Sequence, residues 1–188
     1  ASNIALALLA IPMMYGNTIY PVISRLYISS KESLRFVYER SFKYMIILGI
    51  AVSAGIFAIS EEIIGVFYGS GYLASATVLS IIAWQLCLRF PNIISGVTLS
   101  STDKQRSRVL SQGLIVLVKI ALNLLLIPVY GITGAALATL ITEAVFFVSY
   151  NFFISRYGIR IDYVKPVIKP AIAALIMIAA LYFIEGLF

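Results

Sequence analysis

The sequence contains no histidine, a single cysteine and few charged residues. Without histidine, the chain lacks the commonest general base and the commonest metal ligand of proteins. Cys87 lies alone in an apolar stretch, so neither a disulfide framework nor a cysteine metal site is expected. No nucleotide-binding loop, pair of catalytic carboxylates or nucleophile with a neighbouring base is visible. We therefore expect a protein that is not an enzyme and that needs no metal or cofactor.

Apolar residues dominate the composition. They make up 61% of the chain, and charged residues make up 12%, whereas soluble domains carry about 25% charged residues. A soluble domain of this size has too much surface relative to its volume to bury so many large apolar side chains. The chain begins Ala-Ser-Asn, without a basic region or a cleavage site, so its first apolar run does not resemble a signal peptide. We expect a piece of a longer membrane protein.

Apolar runs long enough to cross roughly 30 Å of hydrocarbon recur along the chain. Residues 31–43 carry six charged side chains with Phe36 and Tyr38 between them, which predicts an amphipathic segment on the membrane surface. Residues 128–131 predict a tight turn between two apolar runs. We predict an all-α, polytopic membrane bundle of about six spans, at residues 4–23, 44–59, 76–99, 109–127, 132–154 and 170–184.

Basic residues fall in alternate connections between these spans. Cytoplasmic loops of membrane proteins carry an excess of lysine and arginine, which predicts cytoplasmic basic loops and two extracytoplasmic chain ends. The basic residues form no continuous surface with interleaved aromatics, so no nucleic acid partner is expected. The basic residues of the three connections are Arg25, Lys31, Arg35, Arg40 and Lys43, then Lys104, Arg106 and Arg108, then Arg156, Arg160, Lys165 and Lys169.

Three charged residues, Arg89, Lys119 and Glu143, fall inside predicted spans, where each costs about 2.5–3.5 kcal/mol on insertion scales. Counted from the turn at 128–131, Lys119 and Glu143 lie at similar depths, about 14–16 Å at 1.5 Å per residue. Two antiparallel spans would therefore allow an ion pair between them, provided that their faces agree. Such a pair is either a static device for insertion or a switch that couples protonation or substrate binding to transport.

The third span carries a polar stripe. Gln85, Arg89, Asn92 and Gly96 recur at spacings of four, three and four residues, which places them on one helix face. One interpretation is a cavity wall whose guanidinium group binds phosphate. The other is a helix packed by interhelical hydrogen bonds. Asn123, one turn from the lysine in the fourth span, is a weaker candidate for the same cavity.

Four stretches of the sequence resemble one family of transporters, in order and spacing. They are Pro-Val-Ile-Ser-Arg at 21–25, the aromatic and glycine residues of 67–76, Asn-Leu-Leu-Leu-Ile-Pro-Val-Tyr-Gly-Ile-Thr-Gly at 123–134, and Lys-Pro-Val-Ile-Lys-Pro-Ala-Ile-Ala at 165–173. The third stretch continues to Thr139 and is followed by Glu143. Together they resemble the polysaccharide biosynthesis and O-antigen flippases of the multidrug, oligosaccharidyl-lipid and polysaccharide exporter superfamily.

This resemblance implies a plasma membrane transporter of two pseudo-symmetric helix bundles around a central cavity, working by alternating access. The chain would be the second bundle, in the C-terminal half, and the N-terminal bundle of the same protein would be its partner. The implied substrate is a polyprenyl-diphosphate-linked oligosaccharide, flipped for cell-surface polysaccharide biosynthesis. Arg89 and Lys119 would then bind its diphosphate or an acidic sugar.

Three alternatives remain open at this point. A cation-coupled drug or metabolite exporter of the same superfamily would need an acidic cavity, and the basic excess favours sugar diphosphates instead. A membrane enzyme acting on lipid-linked sugars would need acidic or histidine chemistry, for which only Glu61 and Glu62 are available. A membrane scaffold without transport activity would tolerate replacement of all the charged residues within the spans.

Overall fold

The computed structural model describes residues 7–72, 74–163 and 165–185. Within these ranges the fold is all-α and contains no strand, as predicted. We number the helices in chain order. They are α1 (Ala10–Ser29), α2 (Lys31–Ala58), α3 (Ser60–Tyr68), a short 3-10 turn (Ser70–Tyr72), α4 (Ala74–Ser101), α5 (Gln105–Arg156) and α6 (Lys165–Glu185).

Helix α5 is a hairpin. Gly131 has φ 57° and ψ −131°, a backbone conformation open to glycine, and it interrupts the helix. A Cβ atom at Gly134 would lie 2.3 Å from the carbonyl oxygen of Leu126, and the hydroxyl of Ser149 donates to that of Ser111 across 2.8 Å. These contacts require two antiparallel arms, which we call α5a (105–130) and α5b (132–156). The predicted turn is confirmed.

The other long helices also alternate in direction. The hydroxyls of Tyr15 and Ser41 lie 3.0 Å apart, on either side of the α1–α2 connection, where Ser30 caps α2. The hydroxyls of Tyr38 and Ser95 also lie 3.0 Å apart and join α2 to α4. Helix α4 contacts α1, α2 and α5, so it lies at the centre of the bundle. The connections rich in basic residues consequently lie at one end.

The predicted amphipathic segment at 31–43 is not a separate surface element. The structure makes it the beginning of α2, where Leu34, Tyr38 and Phe42 recur every four residues and are fully buried. These apolar positions continue the buried face of the span, while the charged side chains lie on the opposite, exposed face. The sequence pattern was that of an amphipathic helix, but its apolar face packs on protein.

Other helix boundaries also differ from the prediction. Helix α1 continues to Ser29, beyond the predicted end at residue 23, and includes Pro21. The connection between the second and third predicted spans contains the short helix α3, whose first turn carries Glu61 and Glu62. Acidic side chains stabilise a helix N-terminus through its dipole. Gly69, with φ 83°, then ends this helix.

Three of the described helices are long and apolar enough to cross a membrane, as judged by length and composition: Lys31–Ala58, Ser75–Ser101 and Gln105–Arg156. The last has 52 residues, and each arm of its hairpin is long enough to cross a membrane once. On α5a, Leu114, Leu117 and Leu124 are more than half exposed. Lipid is the solvent that suits such an apolar surface. These helices are thus those of a multi-pass membrane protein.

Candidate functional site

A cavity of about 350 Å³ lies between α1, α4 and both arms of α5, and it is partly open to the surroundings. Every element around it contributes polar side chains. In the part of the chain that the structure describes, no three histidine, cysteine or acidic residues come together to hold a metal. The polar residues that line the cavity are Asn17 of α1, Arg89 and Asn92 of α4, Arg108 and Gln112 of α5a, and Glu143 and Tyr150 of α5b.

Glu143 is the centre of a hydrogen-bonded ion pair. Its carboxylate accepts from Nη1 of Arg89, and Nδ2 of Asn92 donates to its other oxygen, Oε2, at 3.0 Å and to its backbone carbonyl at 3.1 Å. The Glu143 side chain is 6% exposed, whereas that of Arg89 is 42% exposed. The acid is therefore buried behind the arginine, and the guanidinium group remains accessible from the cavity.

The predicted ion pair between Lys119 and Glu143 is wrong in this structure. The hairpin does bring both residues to the same depth, but Lys119 is exposed on α5a and the carboxylate pairs with Arg89 instead. Gly134 faces α5a, and Glu143 follows it by nine residues, which is half a turn around the helix at about 100° per residue. Glu143 accordingly points away from α5a, toward α4.

The polar stripe of α4 divides into two parts. Arg89, Asn92 and Gly96 line the cavity, as the cavity interpretation predicts, and Asn92 also makes the interhelical hydrogen bonds of the packing interpretation. A Cβ atom at Gly96 would lie 3.0 Å from the ring of Tyr150, so glycine allows this ring to approach α4. Gln85 does not line the cavity, and its buried Oε1 has no hydrogen-bond partner among the described residues.

The two remaining candidates lie on α5a outside the cavity lining. Lys119 is exposed and Asn123 is half-buried. Their spacing from Arg108 and Gln112 places all four residues on one face of the arm. The candidates therefore continue the polar face of α5a beyond the cavity, toward the hairpin turn.

Arg108 was not predicted as a site residue, because it falls in a stretch that was predicted to be a polar loop. The structure places this residue in the first turns of α5, where Nη1 donates to the hydroxyl of Ser100 at 2.5 Å and Nε is buried without a partner in the described chain. Gln112 follows Arg108 by one helical turn and lines the same cavity. This spacing of four residues was the available signal, and it was hidden by placing the start of the helix after Arg108.

A second polar cluster lies apart from the cavity. The hydroxyl of Tyr38 donates to Oδ1 of Asn151 at 3.1 Å and lies 3.0 Å from that of Ser95. All three residues are buried and uncharged. The cluster joins α2, α4 and α5b, and it satisfies the hydrogen-bonding groups of three helices in an apolar environment. We assign it to packing.

Comparison with known proteins supports the family resemblance. The chain is 30% identical over 162 residues to the probable low-salt glycan biosynthesis flippase Agl15 of Haloferax volcanii, a match that covers 82% of this chain and 34% of that protein. It is 25% identical over 156 residues to the capsular polysaccharide biosynthesis protein CapF of Staphylococcus aureus, covering 79% of this chain and 39% of that protein. No family model matches the sequence.

The fold also has a solved counterpart. The lipid II flippase MurJ, in an inward closed conformation, superposes with a TM-score of 0.79 over 95% of this chain and 39% of that protein, at 17% sequence identity. This similarity shows a flippase-like helical bundle. The chain spans between a third and two fifths of the length of the proteins that it matches.

Proposed function

Because this chain is related to the polysaccharide and lipid-linked glycan flippases, we propose that the protein containing it flips a polyprenyl-diphosphate-linked oligosaccharide across the cell membrane. In this proposal the chain forms the second of two helix bundles, and the N-terminal bundle of the same protein forms the other wall of the substrate cavity. Alternating access moves the substrate between leaflets. The function is transport and requires no covalent chemistry.

The charge of the cavity carries this proposal. Arg89 is neutralised by Glu143, whereas Arg108 makes no ion pair within the described residues, so the cavity retains a net positive charge. A guanidinium group offers a planar fork of N–H donors that matches phosphate oxygens. A cationic drug would meet repulsion in this cavity, and a diphosphate would meet attraction.

The Arg89–Glu143 pair suits a role in the transport cycle. The exposed side of Arg89 allows a phosphate to compete with Glu143 for the guanidinium group. Substrate binding or protonation of Glu143 would then release the pair and favour a different arrangement of α4 and α5b. On this proposal, Glu143→Gln changes how transport depends on the proton or sodium gradient across the membrane. If this dependence stays unchanged in the variant, the pair is not a switch.

Orientation follows from the basic end of the bundle. We propose that this end is cytoplasmic, by the excess of lysine and arginine in cytoplasmic loops, and that both ends of the chain are extracytoplasmic. Arg108 would then lie near the cytoplasmic mouth of the cavity, and the Arg89–Glu143 pair would lie deeper. Lys119 and Asn123 would face the N-terminal bundle across the substrate pathway.

The test is made in cells with the full-length protein. Deletion of its gene is expected to cause lipid-linked oligosaccharide to accumulate on the cytoplasmic leaflet, without sensitisation to cationic drugs. The wild-type gene and Arg106→Gln should restore export, because Arg106 is exposed and lies outside the cavity. Arg108→Gln should fail to restore it. Drug sensitivity with unchanged lipid-linked sugar would instead assign the protein to the drug exporters.

A further inference from the structure

A second, larger concavity of about 930 Å³ lies between α2 and α6, away from the proposed substrate cavity. We call it the α2–α6 groove. Arg35, Glu39, Lys43 and Ile47 line it from α2 at successive intervals of four residues, so one face of this helix forms one wall. Residues 165–173 of α6 form the other wall. The ring of Tyr163, which lies 5.3 Å from that of Phe42, anchors the start of this second wall against α2.

The groove carries an excess of positive charge. Arg35, Lys43, Lys165 and Lys169 line it together with only two acidic residues. One of these acids, Asp162, lies 3.6 Å from Nζ of Lys165, but the lysine side chain is 86% exposed. Exposed pairs of this kind are weak, and water competes with them easily. The lysine therefore remains available to an anion.

The charged residues of the groove are confined to one end of it, where Pro166 and Ile168 also lie. Its basic residues lie toward the end of the bundle where α2 and α6 begin, and Ile47, Pro170 and Ala173 follow at greater depth. The predicted sixth span begins at residue 170, so the change from basic to apolar lining lies at the predicted membrane boundary. A ligand that matches both parts has an anionic headgroup and an apolar chain. Basic pockets between membrane helices bind phospholipid headgroups in this manner.

We propose that the α2–α6 groove binds an anionic phospholipid of the surrounding bilayer. Its phosphate contacts Arg35, Lys43, Lys165 and Lys169, and its acyl chain lies along Ile47 and Ala173. The proposal does not depend on the transported substrate, because the groove is formed by different helix faces from the cavity at Arg89. A bound lipid would connect two helices that begin at the same end of the bundle.

The experiment measures lipid binding to the purified full-length protein by native mass spectrometry, with phosphatidylglycerol and phosphatidylcholine as probes. The wild type should retain phosphatidylglycerol in preference to phosphatidylcholine. The groove variant, Arg35→Gln with Lys165→Gln and Lys169→Gln, should bind phosphatidylglycerol about tenfold more weakly or worse, since each basic residue near an anionic lipid surface contributes. The matched control changes three exposed basic residues outside the groove: Arg25→Gln, Arg106→Gln and Arg160→Gln.

The control separates a binding site from general attraction to an anionic membrane. Equal losses in the two triple variants, or equal binding of both lipids by the wild type, would overturn the proposal. Glycerol phosphate is tested as a competitor. It should not displace the lipid at matched concentration, and displacement would mean that the groove binds free phosphate groups and not a lipid.

A variant that preserves every charge covers the case in which the triple variant fails to fold. Ala173 is exposed at the apolar end of the groove, so Ala173→Trp should obstruct the acyl chain. This variant should weaken phosphatidylglycerol binding severalfold while its thermal unfolding stays unchanged. Full lipid binding by Ala173→Trp would contradict the proposed position of the chain.

Discussion

Two polar clusters join α4 to α5b, and they differ in charge and in access to solvent. The Tyr38–Ser95–Asn151 cluster is neutral and buried, and its three residues hydrogen-bond across three helices. The cluster of Arg89, Asn92 and Glu143 is charged, and Arg89 opens onto a cavity. Both satisfy polar groups within an apolar bundle. Only the second has a charged group left accessible to a ligand, so we assign packing to the first cluster and propose binding for the second.

The largest expected effect comes from removing Arg89. Arg89→Leu leaves Glu143 buried without its cation. Because Arg89 itself is partly exposed, the cost should lie near the lower end of the range of about 3–5 kcal/mol that applies to fully buried pairs. Thermal unfolding of the purified full-length protein should show this loss. The double variant Arg89→Leu, Glu143→Leu should recover most of the stability but not transport. If Arg89→Leu leaves the unfolding temperature unchanged, the pair is not structurally coupled as the geometry indicates.

A comparable effect is expected in the hairpin that positions Glu143. Gly134→Ala places a methyl group 2.3 Å from the backbone carbonyl of Leu126, and separating the arms to accommodate it should cost about 2–3 kcal/mol. Gly113→Ala is the control on the same helix, because a Cβ atom there meets no atom within 4 Å. Equal stability of the two variants would argue against the close contact of the arms.

The packing cluster should respond to a smaller change. Tyr38→Phe removes the hydroxyl shared by Ser95 and Asn151, at a cost of about 1–2 kcal/mol in the free energy of unfolding. Transport by the folded protein should continue at a rate close to that of the wild type. A variant that unfolds normally but no longer transports would overturn the assignment of this cluster to packing.

The smallest effect on stability is expected at Lys119. This side chain is exposed and makes no ion pair within the described residues, so Lys119→Gln should change the free energy of unfolding by less than about 0.5 kcal/mol. Its effect on transport should also be weaker than that of Arg108→Gln, since it lies outside the cavity lining. A loss of stability above about 1 kcal/mol would instead indicate a buried partner for this lysine.

Several features of the fold could be predicted from the sequence. Long apolar runs predicted the helices of an all-α bundle, and Pro128 with Gly131 predicted the hairpin turn. The number of residues that separates Lys119 and Glu143 from this turn then predicted that both lie at the same depth. This number does not predict how each arm of the hairpin is rotated about its own axis, because that rotation depends on the packing at Gly134. For this reason the partner of Glu143 was predicted wrongly.

The candidate site was predicted in part. Arg89, Asn92 and Gly96 were identified correctly as one face, because helical spacing is visible in the sequence. Gln85 shares this face but lies outside the cavity, since the neighbouring helices determine where the cavity ends. Arg108 was missed because charged residues at a helix start resemble a loop. Helix boundaries are set by capping and tertiary contacts that composition does not reveal.

The most direct test of the central claim measures flipping itself. The full-length protein is reconstituted into vesicles with a polyprenyl-diphosphate-linked oligosaccharide, and transfer between leaflets is compared for the wild type, Arg108→Gln and Arg106→Gln. Loss of charge-assisted hydrogen bonds to phosphate predicts that Arg108→Gln is about tenfold slower or more, while Arg106→Gln matches the wild type. Equal rates for all three proteins would contradict a phosphate-binding role for this cavity.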